Sequence, residues 1–268
     1  MAMESLFLIA GSGDYPRQVI EAARRAGVRR VVLAAFEGET SPDLEGLADE
    51  VFHMKVGQLG KLLDAAKKSG ARDALMAGQI APGNLFDLRP DLRALVLLAR
   101  LKVRNAETLF GAVASELASA GVALLPATTF LEQQIAGKGH LAGPRLKPGQ
   151  LADLEFGFRI AKDSSRLDIG QTVVVKNGTV LAVEAFEGTN EAIRRGGKLG
   201  RSGSIVVKVS KPGQDMRFDV PVVGTKTLET AAEAKILAIG VEAGATLLLD
   251  REKVAKAADS HAIAIYGL

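Results

Sequence analysis

Between Lys208 and Pro221 the chain carries more ionisable groups than a turn requires: Lys208, Lys211, Asp215, Arg217 and Asp219. Pro212 and Gly213 alone would suffice to reverse the chain. Asp215, Arg217 and Asp219 stand at alternate positions, so in an extended segment they point the same way. Two carboxylates with cations nearby suit an oxygen-ligated Mg²⁺, or another divalent cation such as Mn²⁺, holding a diphosphate. Such a metal would neutralise charge on the phosphoryl group and orient or activate water. The same residues also read as a surface ion-pair cluster of little energetic weight.

Upstream, Glu184 sits among apolar neighbours near the end of a strand, where a carboxylate is either paired or functional. By alternation Ala182, Glu184 and Phe186 share one face, with Glu187 on the other. Gly188-Thr189-Asn190 then opens a helix that carries Arg194 and Arg195. This reads either as an N-cap with a solvated basic face or as a phosphate cradle of helix amides, Thr189 and arginines. Near the N-terminus, Gly11-Ser12-Gly13 lies between a strand and a helix and reads as a phosphate loop or a plain tight turn. A dinucleotide fingerprint would want glycine where Pro16 stands. Gln79, in the loop Ala77 to Gly83, offers a donor and an acceptor at another strand end.

These groups must be positioned by the elements around them. In the first half, continuous apolar strands (6–10, 31–34, 51–54, 73–77 and 122–125) alternate with helices (15–27, 58–69, 91–101 and 106–120). That order implies a parallel sheet covered on both faces, with ligands at the carboxyl ends of its strands. The glycines and prolines from 134 to 149 mark a linker. A helix at 150–165 follows, then a hairpin turning at Asn177-Gly178, the strongest short hairpin signal in the chain. A helix at 190–196, a strand at 205–209, helix 225–238, strand 246–249, helix 251–259 and strand 262–266 complete the reading. The expected fold is α/β in two domains. The first (1–133) is a Rossmann-like parallel sheet with helices on both faces. A linker (134–149) leads to a mixed α/β domain (150–268) that carries the catalytic motifs.

Composition narrows the classes. The chain has 268 residues, 47% of them hydrophobic, enough for a real core. It has no cysteine, which excludes disulfides and thiolate chemistry and fits a reducing compartment. Its three histidines are scattered, which argues against a histidine-rich zinc site. A net charge of +3 with 4% aromatics does not point to nucleic acid. No signal peptide and no membrane span are expected. There is no Walker A or G-x-S-x-G motif.

Three stretches together carry a resemblance. They are Asp168-Ile169-Gly170-Gln171-Thr172-Val173-Val174-Val175, then Val180 through Asn190, then Lys208 through Pro221. They closely resemble the LpxI-type UDP-2,3-diacylglucosamine diphosphatases of lipid A synthesis. Leu8 to Gly13 and Met76-Ala77-Gly78-Gln79 fit the same family. The resemblance covers essentially the whole chain and implies a cytoplasmic, divalent-metal-dependent hydrolase of two domains. Its reaction yields UMP and 2,3-diacylglucosamine 1-phosphate by attack of water. Asp219 matches the aspartate of the family's Arg-x-Asp-x-Pro segment, which is catalytically essential there.

The resemblance and the residue chemistry together give the expected site. Asp219, Glu184 and Lys208 are the catalytic candidates. Gly11, Ser12, Gly13, Gln79, Gln171, Thr189, Asn190, Lys211 and Arg217 are the substrate-binding candidates. Asp219, Asp215 and Glu187 are the expected metal ligands, for Mg²⁺ or another divalent cation. The expected partners are a UDP-linked diacyl glucosamine, the inner membrane in peripheral contact, and a second copy of the chain as a homodimer. Two positions depart from the family pattern: Asn190 stands where aspartate is usual, and Asn105-Ala106-Glu107 where Gly-Asp-Asp is common. They keep open an alternative, a nucleotide-sugar or acylated-sugar binding protein without turnover.

Overall fold

A computed structural model describes residues 3–80, 90–103 and 105–268. The end of the loop read from Ala77 to Gly83 lies outside them from residue 81 onward. The chain divides into two compact units, residues 1–131 with 215–219, and residues 132–214 with 220–268.

The first unit is built on five parallel strands in the order β3-β2-β1-β4-β5: β1 (Ser5–Ala10), β2 (Arg30–Phe36), β3 (Glu50–Met54), β4 (Asp73–Ala77) and β5 (Ala123–Leu124). Between them run α1 (Tyr15–Arg25), α2 (Leu59–Ser69), α3 (Leu92–Arg100) and α4 (Ala106–Ser119). Phe7, Ile9, Val32, Ala34 and Phe36 pack into one cluster with Leu62 and Leu63 of α2 and Leu117 of α4. The alternating residues Leu6, Leu8, Val31 and Leu33 are buried too, so the central strands are covered on both faces, as their unbroken apolar runs require.

The second unit holds a mixed six-stranded sheet in the order β6-β13-β11-β9-β7-β8. Its strands are β6 (Gly139–Ala142), β7 (Thr172–Lys176), β8 (Thr179–Val183), β9 (Ser204–Lys208), β11 (Ile236–Val241) and β13 (Ala264–Gly267). One face packs on α5 (Pro148–Arg166) through Leu154 and Ala161. The other packs on α6 (Thr189–Gly200), α7 (Thr225–Glu233) and α8 (Arg251–Ser260) through Ile193, Leu228, Ala231, Val254 and Ala258. Strands β10 (Val222–Val223) and β12 (Leu247–Leu248) pair separately, in parallel.

Two features differ from the reading of the sequence. The stretch taken as a linker contains β6, which pairs antiparallel with β13. The helix expected over 225–238 stops at Glu233, because Lys235 takes a positive φ of 55° and turns the chain into β11. The run Ile236–Val241 is then a buried inner strand between β9 and β13. The Asn177-Gly178 turn forms as expected, with both residues at positive φ. Asp153 of α5 holds it, accepting hydrogen bonds of 2.7 Å from both turn amides.

Candidate functional site

In the first unit the charged residues fold on themselves. Residues 215–219 are not extended: the amides of Phe218 and Asp219 donate to the Asp215 carbonyl at 3.2 and 3.0 Å, closing a tight turn. Arg217 therefore folds back onto Asp215. Its Nε lies 2.9 Å from Oδ1 and its Nη2 2.6 Å from Oδ2. This forked pair is half-exposed. The Arg217 hydrogen bonds hold the Asp215 carboxyl below the usual carboxylate range despite some burial, and the guanidinium is correspondingly raised.

The turn is fastened to its own unit. The Phe218 ring lies 5.7 Å from that of Phe110, and the Ala127 amide donates to the Met216 carbonyl at 2.8 Å. The carbonyl of Ala127 accepts from the buried Tyr15 hydroxyl at the start of α1. Burial pushes that hydroxyl's pKa well up, so it is a donor throughout the ordinary pH range. Sequence reasoning did not find Tyr15 or Ala127; nothing local in either marks it.

The Gly11-Ser12-Gly13 loop does not offer all the amides expected of it. Gly11 N–H donates to the Ala77 carbonyl at 2.8 Å and Ser12 N–H to the Gln79 carbonyl at 2.7 Å. Gln79 N–H returns to Ser12 at 3.1 Å, and the Ser12 hydroxyl also reaches the Gln79 carbonyl at 2.9 Å. A side chain at Gly11 would meet that carbonyl at 2.4 Å, so glycine is required for this bridge. The loops after β1 and β4 are thus joined, with the Gln79 side chain left at the surface. Beside Gly13 a cavity of about 140 Å³ is lined by Asp14, Arg17, Ser41, Asp43 and Leu44, and Arg17 is paired there with Asp43.

The second unit holds a buried polar cluster where β7 begins and β8 ends. Glu184 is 8% exposed, and its amide donates to the Thr172 carbonyl at 2.8 Å. Oε1 accepts from the Thr189 hydroxyl at 2.9 Å, and that hydroxyl oxygen lies 3.3 Å from the hydroxyl of fully buried Thr172. Oε2 is buried with no hydrogen-bond partner among the described residues. A side chain at Gly170 would strike the Glu184 carbonyl at 2.0 Å, so only glycine lets the chain pass there. Lys208 lies opposite Thr172 in the β7–β9 register, is 8% exposed, and directs Nζ to the Val222 carbonyl at 3.2 Å. Gln171 Oε1 and Gln214 Nε2 are further buried polar atoms without a partner among the described residues.

A charged network steadies the exit from β9. Glu242 accepts from the Ser210 amide and hydroxyl, each at 2.7 Å, and from Lys162 Nζ at 3.0 and 3.1 Å. Burial pushes the Glu242 carboxyl up. The Ser210 and Lys162 contacts outweigh it, and the net shift is downward. Lys211 pairs with Asp168. Glu242, Lys162 and Ser210 went unnoticed in the sequence because their partners stand far apart along the chain.

Gly188 caps α6 at φ 85°, with Thr189 and Asn190 in its first two positions, in line with the N-cap reading of that triplet. Two expected groupings are corrected. Arg194 pairs with Glu191, and Arg195 pairs with Glu187 at 2.5 Å, so neither arginine forms a phosphate cradle here. Of the expected metal ligands, Asp215 is held by Arg217, and Glu187 by Arg195 and the Ala185 amide. Glu187 is accordingly held below the usual carboxylate range, chiefly by Arg195. Among the described residues, no group of three or more histidines and carboxylates stands together as a metal cage. A metal at these residues would have to displace Arg217 from Asp215 and Arg195 from Glu187. Asp219 lies one turn beyond Asp215, its amide donating as described above.

Comparison with known proteins covers the chain from end to end. Residues 5–134 match the family model for the LpxI N-terminal domain and residues 137–266 that for the LpxI C-terminal domain. A protein of Caulobacter vibrioides named UDP-2,3-diacylglucosamine pyrophosphatase LpxI is 31% identical over 277 residues, which cover 99% of this chain and 98% of that protein. Likenesses to solved structures are loose. The biotin carboxylase domain of Hydrogenobacter thermophilus 2-oxoglutarate carboxylase gives a TM-score of 0.29 at 18% identity, over 75% of this chain and 42% of that one. The biotin carboxylase subunit of pyruvate carboxylase gives 0.27 at 15%, over 74% and 42%.

Proposed function

The chain belongs to the LpxI family, both of whose domains it matches in order, and from this we propose that it hydrolyses UDP-2,3-diacylglucosamine in lipid A synthesis. Water adds to one phosphorus, the bridging P–O bond breaks, and the products are UMP and 2,3-diacylglucosamine 1-phosphate. The observation that carries this reading is the match to a named pyrophosphatase along nearly the full length of both proteins.

The proposed roles follow from chemistry and motif. Asp219 orients the attacking water and accepts its proton. In the second unit, Glu184 offers its unpartnered Oε2 to a donor on substrate or water, and Thr189 fixes the carboxylate through Oε1. The buried ammonium of Lys208 stabilises negative charge. Gln171, Lys211, Arg217 and Asn190 are proposed to contact substrate, as are the Gly11–Gly13 loop and Gln79. Replacement Asp219→Ala tests the assignment: turnover should fall by roughly 10³-fold while substrate binding stays measurable. Near-normal turnover in that variant would sink it.

A divalent-cation requirement, for Mg²⁺ or Mn²⁺, is a separate proposal that rests on the family resemblance. EDTA should suppress UMP release and added Mg²⁺ restore it; release unaffected by chelation removes the metal from the account. Binding without turnover is a second reading, favoured by the arginines that hold Asp215 and Glu187. Retention of intact substrate, with no UMP formed under any metal, would select it. The proposed compartment is the cytoplasm, and no helix among the described residues is long and apolar enough to cross a membrane. A homodimer remains a proposal that light scattering decides.

A further inference from the structure

Helix α3 shows an apolar stripe to solvent. Leu92, Leu95 and Val96 are 78%, 50% and 45% exposed, and Val103 beyond the helix end is 58% exposed. These are four of the eight exposed large apolar side chains among the described residues, gathered on one short stretch. Positions 92, 95, 96 and 99 follow the spacing of a single helix face, with Ala99 also exposed. The opposite side is occupied: Ala94 is buried in the core of the first unit, and Leu97 packs against that core. Asp91 caps the helix and accepts from the amides of Ala94 and Gly60, so α3 is firmly seated.

The charge along this stretch has one sign. Residues 92–104 include Arg93, Arg100, Lys102 and Arg104 and no acid. Arg93 is 3.7 Å from half-buried Glu116, a weak pair, whereas Arg100 and Lys102 extend at the exposed end of the stripe. Apolar side chains along one face with cations at its end match a bilayer surface. There the aliphatic groups enter the acyl boundary and the cations meet anionic headgroups. A contiguous exposed apolar patch of this kind is uncommon on a free surface.

We propose that α3 docks the protein in the plane of an anionic lipid bilayer, through Leu92, Leu95 and Val96 with Arg100 and Lys102. The docking does not depend on the catalytic reading. Its use, bringing the protein to a substrate that carries two acyl chains, does.

The chain has no tryptophan, so Leu92→Trp makes a single fluorescent reporter. Its emission should shift to the blue on vesicles of phosphatidylcholine with phosphatidylglycerol, and far less on phosphatidylcholine alone. In sedimentation with the same vesicles, Leu95→Asp combined with Val96→Asp should weaken partitioning of the full chain by about 10-fold or more. Arg100→Gln and Lys102→Gln should each weaken it by about fivefold, and added salt should do the same. The glutamine variants keep the apolar stripe intact and stand in if the aspartate pair fails to fold.

An unshifted emission from the Leu92→Trp variant overturns the proposal. So does equal binding to neutral and anionic vesicles, or wild-type binding by the aspartate variant. A concentration-dependent dimer lost in that variant, without vesicle binding, would assign the face to a second copy instead. The vesicles contain no nucleotide sugar, so failure here leaves the proposed hydrolysis untouched.

Discussion

The turn at 215–219 and the cluster around Glu184 both attract notice as concentrations of charge or polarity, and they resolve in opposite ways. In the turn, Arg217 saturates Asp215 with a half-exposed fork of hydrogen bonds. Glu184 is buried, yet one of its carboxylate oxygens has no partner among the described residues, and the same holds for the buried amide oxygen of half-buried Gln171. Exposed charges find one another at little cost and yield little stability. Buried polar atoms without partners are costly, and a fold that keeps them has a use for them. Dense charge in a sequence therefore located a candidate region, whereas unmet hydrogen-bonding capacity locates the groups with room for a ligand.

Substitutions can break this contrast. After the loss expected of Asp219→Ala, the largest effect is at Glu184. Glu184→Gln keeps the shape but replaces the acceptor with an amide, and turnover should fall by roughly 10²-fold or more. Thermal stability should hold or rise, because a desolvated charge is removed. Unchanged turnover with raised stability would show that the orphan oxygen is only a structural cost.

Next is Glu242→Gln, which should cost about 2 kcal/mol in denaturant unfolding by weakening the Ser210 and Lys162 contacts. Its sign with pH follows from a folded pKa below the ordinary value of about 4.3. The stabilisation is complete above that ordinary value and is lost as pH falls through the depressed folded one. The variant's stability should therefore vary less with pH below about 4.3 than the wild type's, and parallel acid curves would remove Glu242 from the account.

The smallest effect is expected at Arg217→Ala. It should change stability by less than about 1 kcal/mol and turnover by less than Glu184→Gln does. A loss of turnover as large as that of Glu184→Gln would make the exposed pair part of the chemistry and collapse the contrast.

How much could be read from the sequence follows the same division. The first sheet was legible because each of its inner strands is an unbroken apolar run bounded by helices. Strand β6 was not, because Gly137, Gly139 and Gly143 look like a linker and pairing with β13 is a long-range event. Nor was β11: the alanine-rich run before it continues the helical pattern, and only the backbone at Lys235 reveals the break. Glu184 announced itself by its apolar neighbours. Its environment did not, since Thr172 and Thr189 reach it only through the sheet and the start of α6. The Glu242 network joins residues 32 and 80 positions apart, beyond any local pattern. The alternation of Asp215, Arg217 and Asp219 suggested a shared face, but the tight turn places the arginine on its neighbour instead.

The central claim is hydrolysis of a diphosphate by water. Turnover of UDP-2,3-diacylglucosamine in ¹⁸O-enriched water, with both products weighed by mass spectrometry, tests it most directly. The account predicts UMP and diacylglucosamine 1-phosphate in equal amounts, with one ¹⁸O atom entering one of the two from solvent. Recovery of intact substrate, or release of UMP with no solvent oxygen in either product, would contradict it.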